Sequence, residues 1–320
     1  MSGLRAATEF RLQSVRLKNS PAPKHPMTPL DIFLNKSDRL RSGWRLAIFV
    51  AAFFSVYVGL ATLVNDRFRL LLLFSAIFVG WGCGRLFEDL PLRAVGWSLH
   101  RGWFRDLLLG VVFGALSLLL AAALASVAGG FRFAFAPPAL GFATLKTASV
   151  AAAFWVIPAA AEEAMFRGYP LQTTLRSWRL WLAAGLTSLL FASIHILNPN
   201  FLPLAFINTF LAGMCLAVAY WRTRSLWFAL GLHWSWNWVM GSLLGLPVSG
   251  ATRHASASLV HVTDSGPAWL TGGAYGLEGG AACALALVIT TIFTLKTRLL
   301  KADKELKVFT DGERPKRAGG

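Results

Sequence analysis

Charge is what this sequence has least of. Only 14% of its 320 residues are Asp, Glu, Lys or Arg, against about a quarter in an ordinary soluble domain. Acidic residues are scarcest, 15 against 31 basic ones, for a net charge of +16. No charged residue falls between Asp106 and Arg132, between Arg179 and Arg222, or between Arg224 and Arg253. Helices built from such stretches have no polar face to offer water. That excludes soluble and disordered classes and leaves a polytopic membrane protein. Cysteine is also scarce. Cys83, Cys215 and Cys283 lie in apolar stretches without CxxC spacing, which excludes a disulfide framework or a zinc knuckle. Each reads as a small buried hydrophobe. The chain has no HExxH, P-loop or dinucleotide fingerprint, and no Ser or Cys stands beside a base in a recognisable nucleophile motif.

What is present is an all-α pattern of about eight transmembrane helices. Residues 1–43, polar, basic and lacking the apolar core of a cleaved signal peptide, are expected to form a flexible cytoplasmic tail. A membrane domain follows over residues 44–296, with a charged cytoplasmic tail over 297–320. The expected spans are 44–64, 68–87, 107–129, one from about Lys146 into Glu162, two within 180–221 separated by Asn198-Pro199-Asn200, one at 225–246 and one at 279–295. Residues 88–106 mix Trp, Arg and His and are expected at the membrane surface. An even number of spans puts both termini on one side. With this assignment 26 of the 31 basic residues fall on that side, so the positive-inside rule makes it the cytoplasm of a multi-pass cell-membrane protein. The positive charge is then an orientation and lipid-contact signal. No nucleic-acid-binding motif accompanies it; the bilayer is the expected partner.

An ionisable residue inside a span costs at least ~2.5–3.5 kcal/mol on insertion scales. The few that occur therefore mark the candidate site: Glu162, Glu163 and Arg167 in AAAEEAMFRG, His195 in FASIH, and His233 with Asn237 in HWSWN. Asn208 is polar within the sixth span and is expected to hydrogen-bond a neighbouring helix; Glu278 stands at the mouth of the eighth. Adjacent helical residues point about 100° apart, so Glu162 and Glu163 are expected to face different ways. Arg167 follows Glu163 by four residues, the spacing of an intrahelical ion pair. Glu162 and His195 lie 15 and 16 residues from the turn near Ser177–Arg179. That is roughly 22–24 Å along each helix, so an antiparallel hairpin can bring them to one depth. Pro158 should loosen the helix that carries Glu162. His233 and Asn237 share one face of the seventh span.

Such a pocket permits two schemes. Glu162, His195 and His233 could hold Zn2+ with a position open for water. Without metal, Glu162 could take a proton from water while His195 orients it or protonates a leaving amine, and His233 and Asn237 could hold an oxyanion. Both schemes point to hydrolysis of an acyl or peptide bond.

These residues resemble the CPBP family of intramembrane proteases, which includes the type II CaaX prenyl endopeptidases and Abi-like proteins. EExxxR appears as Glu162, Glu163 and Arg167, FxxxH as Phe191 and His195, HxxxN as His233 and Asn237. FxxG at Phe210–Gly213 and the run GGAYGLEGG at 272–280 are similar as well; the motif-bearing part covers about residues 145–245. The resemblance implies an eight-helix membrane endopeptidase acting on a membrane-associated protein or peptide. Residues matching Glu162 and His195 would activate water, those matching His233 and Asn237 would stabilise the oxyanion, and those matching Glu163 and Arg167 would support them. The family has been described both as metalloprotease and as glutamate-dependent, so Zn2+ and no cofactor both stay open. A non-catalytic membrane partner or bacteriocin-immunity protein of the same family is the alternative. A transporter is a weaker one, because no inverted repeat or matched pair of broken helices is present.

Overall fold

The computed structural model describes residues 28–64, 69–135, 142–252, 258 and 260–311. It divides into two units, Met1–Arg41 and Ser42–Gly320. In the first, the described part is one helical turn, Leu30–Phe33, and an antiparallel bridge between Leu34 and Leu40.

The second unit is mostly helical. Its principal helices are α1 (Ser42–Val64), α2 (Arg69–Glu88), α3 (Trp103–Val127), α4 (Phe142–Phe166), α5 (Tyr169–Leu175), α6 (Leu180–Ile194), α7 (Pro203–Thr223), α8 (Leu226–Trp238), α9 (Ala281–Lys296) and α10 (Lys304–Thr310). Among the described residues, six helical stretches are long and apolar enough to cross a membrane: Ser42–Leu63, Arg69–Glu88, Trp103–Val127, Lys146–Leu175, Leu180–Leu197 and Pro203–Thr223. The expected seventh and eighth spans are shorter than the sequence suggests. After α8 the chain makes a π turn over Val239–Leu243 and then leaves helix at Gly245-Leu246-Pro247. α9 is only 16 residues, about 24 Å at 1.5 Å per residue, because the Gly279–Gly280 pair delays its start. The end of α9 is tied to the end of α7. Arg222, at the end of α7, donates to the carbonyls of Leu295 and Thr297 at the end of α9, at 2.8 and 2.6 Å.

Two features depart from an all-helical reading. Phe131–Phe135 (β1) and Val260–Asp264 (β2) form an antiparallel pair, Phe131 opposite Asp264 and Phe135 opposite Val260. FRFAF and VHVTD carry the aromatic and β-branched residues that favour strands, and the pair links two loops at one end of the bundle. Residues 89–102 form a connection with a single 3-10 turn, Leu92–Val95. There the Trp227 indole donates to the carbonyl of Ser98 at 3.0 Å and packs on Trp97 and Trp103.

The α3–α8 pair makes the most extensive helix–helix contact. Glycine permits it. A Cβ on Gly110 would come within 2.2 Å of the Phe228 carbonyl, and one on Gly231 within 2.3 Å of the Leu107 carbonyl. Backbones that approach so closely gain dispersion and polar contacts unavailable between bulkier faces in lipid. A Ser117–Thr290 hydroxyl pair at 2.6 Å adds α9 to the same core.

Candidate active site

α4, α6, α7 and α8 enclose a cavity of about 1020 Å³. Glu162 on α4, His195 at the end of α6, and His233 and Asn237 on α8 all line it. Pro158 sits inside α4, which continues through it to Phe166.

Tryptophan fixes the register of α8 against α4. The indoles of Trp234 and Trp238, four residues apart, donate to the carbonyls of Ala152 and Ala148, also four apart, at 2.8 and 3.0 Å. Trp155 returns the contact to the Ser242 hydroxyl at 3.0 Å. With α8 pinned this way, His233 is delivered to both glutamates. Its Nδ1 lies 2.8 Å from Glu163 Oε1, and its Nε2 lies 3.6 Å from Glu162 Oε2. The two carboxylates do diverge on α4, yet they meet the same ring, because imidazole nitrogens lie on opposite sides of it. The expectation that Glu162 and Glu163 face different ways agrees with this, Glu163 being buried on Arg167 and Glu162 facing the cavity.

Glu163 is fully buried. Its Oε1 is shared between His233 and Arg167, the latter at 3.2 Å with only 1% of its side chain exposed. The guanidinium also points to the Gly213 carbonyl at 3.4 Å and lies over the Phe191 ring, 4.4 Å from its centroid. Gly213, the glycine of FxxG, is required by the close approach of α7 to α6, since a Cβ there would sit 2.7 Å from that of Ser188. Glu162 differs from its neighbour. Its side chain is 28% exposed and it lines the cavity.

His195 caps α6, and its Nδ1 lies 2.7 Å from the carbonyl of Phe191, four residues earlier. A carbonyl can only accept, so Nδ1 carries the proton in this contact and Nε2 of the neutral ring holds a lone pair. Phe191 is the hub of the site. Its ring is edge-on to His195 at 4.5 Å and to His233 at 6.2 Å, and it lies under Arg167. That explains the phenylalanine of FxxxH, whose role the spacing alone does not disclose.

The three residues considered as zinc ligands, Glu162, His195 and His233, do not gather into a metal group. Among the described residues no three His, Cys, Asp or Glu side chains are placed to hold an ion.

Asn208 has the helix-clamping role expected of it. Its amide donates to the carbonyls of Glu278 and Gly280, both at 2.8 Å. Glu278 acts as a latch at the cavity rim, accepting from the Trp236 indole at 3.1 Å and from the amide and hydroxyl of Ser249, each at 2.7 Å. Beside it, burial pushes the Tyr275 phenol above its ordinary value, with the Glu278 charge adding to the effect. A second buried charge cluster was not legible in the sequence. Glu88, at the end of α2, accepts from Arg45 at 2.7 Å and from Arg176 at 3.0 Å. It ties α1, α2 and the turn after α5 together, away from the cavity.

Residues 144–239 match the family described as type II CAAX prenyl endopeptidase, Rce1-like. The matched segment holds Glu162, Glu163, Arg167, His195, His233 and Asn237. The match supports the resemblance to the CPBP family proteases on that span. With the long apolar helices, it describes a multi-pass membrane protein. No curated protein matches the chain.

Proposed function

We propose that the protein is an intramembrane endopeptidase resembling the CAAX-processing proteases, cutting a peptide bond in a membrane-associated protein or peptide. The observation that carries this reading is the convergence of Glu162, His195, His233 and Asn237 on one cavity, with His233 between two carboxylates. Glu162 takes a proton from water as the oxygen adds to the scissile carbonyl, and returns it to the leaving amine. His195, with its Nδ1 proton committed to the Phe191 carbonyl, orients that water through the Nε2 lone pair. His233 Nε2, when it carries a proton, and the Asn237 amide donate to the oxyanion. Glu163 and Arg167 position His233 by fixing Nδ1. The reading includes eight crossings, α8 and α9 being the short ones, with both termini in the cytoplasm.

The test is cleavage of a membrane-tethered peptide by the purified protein in proteoliposomes. Glu162→Gln and His195→Ala should each lose at least a hundredfold in rate, within the usual range for general acid–base groups, while keeping the wild-type unfolding midpoint. Full activity in both variants would remove the peptidase reading and favour a non-catalytic membrane partner.

A further inference from the structure

The cavity has a direction. Its outer lining comes from the Asn198–Asn200 link between α6 and α7, from Ser249–Thr252 after α8, and from Arg69 at the start of α2. These lie at one end of the bundle. Asn200 donates to the Gly250 carbonyl at 3.4 Å, and Gly250 donates its amide to Tyr275 at 2.9 Å. From that end the lining reaches inward along α7 as far as Cys215 and Leu216, about 18 Å from Pro203 at 1.5 Å per residue. It goes no further.

The opposite end is closed. The chain after α9 turns back across it and is held by four arginines. Arg105 donates to the Leu299 carbonyl at 2.7 Å, Arg222 to Thr297 and Leu300, Arg176 to Phe309 at 3.4 Å, and Arg224 pairs with Asp311 at 2.7 Å. The strap's own Leu300, Leu306 and Phe309 are buried. The same end carries Arg85, Arg93, Arg101 and Arg179, whereas the cavity end offers Arg69, Arg132 and Lys146 among the described residues. By the positive-inside rule the closed, basic end faces the cytoplasm.

We infer that the cavity opens on the extracytoplasmic side of the membrane, and that its substrate is a membrane-anchored polypeptide whose scissile segment lies on that outer side, not a cytosolic chain terminus. The inference deepens the peptidase reading, but its orientation rests on geometry and charge alone.

Single cysteines test it. Cys83, Cys215 and Cys283 are buried, so the wild-type chain serves as the blank. Thr252→Cys places a thiol at the exposed rim, and Lys301→Cys places one at the exposed basic end. Intact bacterial cells expressing each full-length variant are treated with a membrane-impermeant sulfonated maleimide, before and after permeabilisation. Thr252→Cys should label at least tenfold above the blank in intact cells, and Lys301→Cys only after permeabilisation. The reverse pattern would overturn the inference. Two reporters sharing one transmembrane anchor, with the cleavable linker outside in one and inside in the other, address the substrate. The outside linker alone should be cut, and Glu162→Gln should abolish the cut. Cleavage of the inside linker by the wild type would overturn the inference. Neither linker cut, with Thr252→Cys labelled from outside, would remove the peptidase reading and keep the orientation.

Discussion

Replacing Glu163 by Gln isolates the charge balance at the heart of the site. The side chain is fully buried, and its Oε1 is the one carboxylate oxygen in contact with both Arg167 and His233. Glu163→Gln keeps size and an acceptor oxygen but leaves the Arg167 guanidinium, 1% exposed, without its counter-charge. Removing one partner of a buried ion pair costs about 3–5 kcal/mol. The Phe191 ring at 4.4 Å and the Gly213 carbonyl at 3.4 Å stay in place, and a desolvated cation–π contact is worth up to about 2 kcal/mol. The lower part of the range therefore applies, near 3 kcal/mol, or about a hundredfold in the folding equilibrium. Arg167→Met, which leaves Glu163 bare, should cost a similar amount. The double variant removes both charges and should cost well below the sum of the two, with a coupling above about 2 kcal/mol.

The assay is unfolding in mixed micelles by added denaturing detergent, followed by tryptophan fluorescence, since Trp234, Trp236 and Trp238 sit on α8, the helix that carries His233 against Glu163. A second readout separates fold from chemistry. The stable double variant should still be slow in peptide cleavage, because the anionic anchor of His233 Nδ1 is gone. Single-variant costs below about 1 kcal/mol, or costs that add within about 0.5 kcal/mol, would refute the reasoning.

Two further outcomes are expected. Gly110→Ala forces α3 away from the Phe228 carbonyl on α8; overpacking of this kind costs about 1–3 kcal/mol, and cleavage should fall with it because α8 carries His233 and Asn237. Gly59→Ala, where an added Cβ meets nothing within 4 Å, is the neutral control in the same unfolding assay. Because Glu162, His195 and His233 do not gather as an ion-holding group, cleavage should persist after exhaustive chelation. Activity lost on chelation and restored by stoichiometric zinc would show that the ligand geometry rearranges around a metal.

Residues whose partner lies within one helical turn were readable from the sequence. Glu163 and Arg167 form the expected i,i+4 pair, and His233 and Asn237 line one cavity from one helix. The scarcity of charge led to the site because a few ionisable groups in an apolar background have few other reasons to be there. Contacts between distant loops and helix ends, which no motif residue marks, were not readable. The β1–β2 pair joins residues 131–135 to residues 260–264, and no local pattern in either strand encodes that register. Glu88 looked like the start of a surface loop, yet it is buried against Arg45 and Arg176, which come from other parts of the chain.

His233 shows the same limit within the site itself. Helical geometry fixes the angle between Glu162 and Glu163 on their own axis, so the two leave that axis in different directions. It cannot show that a third group will be wedged between them. The wedge depends on the height of α8 against α4, which is set by the indoles of Trp234 and Trp238 on the carbonyls of Ala152 and Ala148. A slip of one helical turn along α8, about 5.4 Å, would carry His233 past both carboxylates while leaving every motif in the sequence intact. Trp234 and Trp238 of HWSWNW are therefore part of the site's positioning machinery.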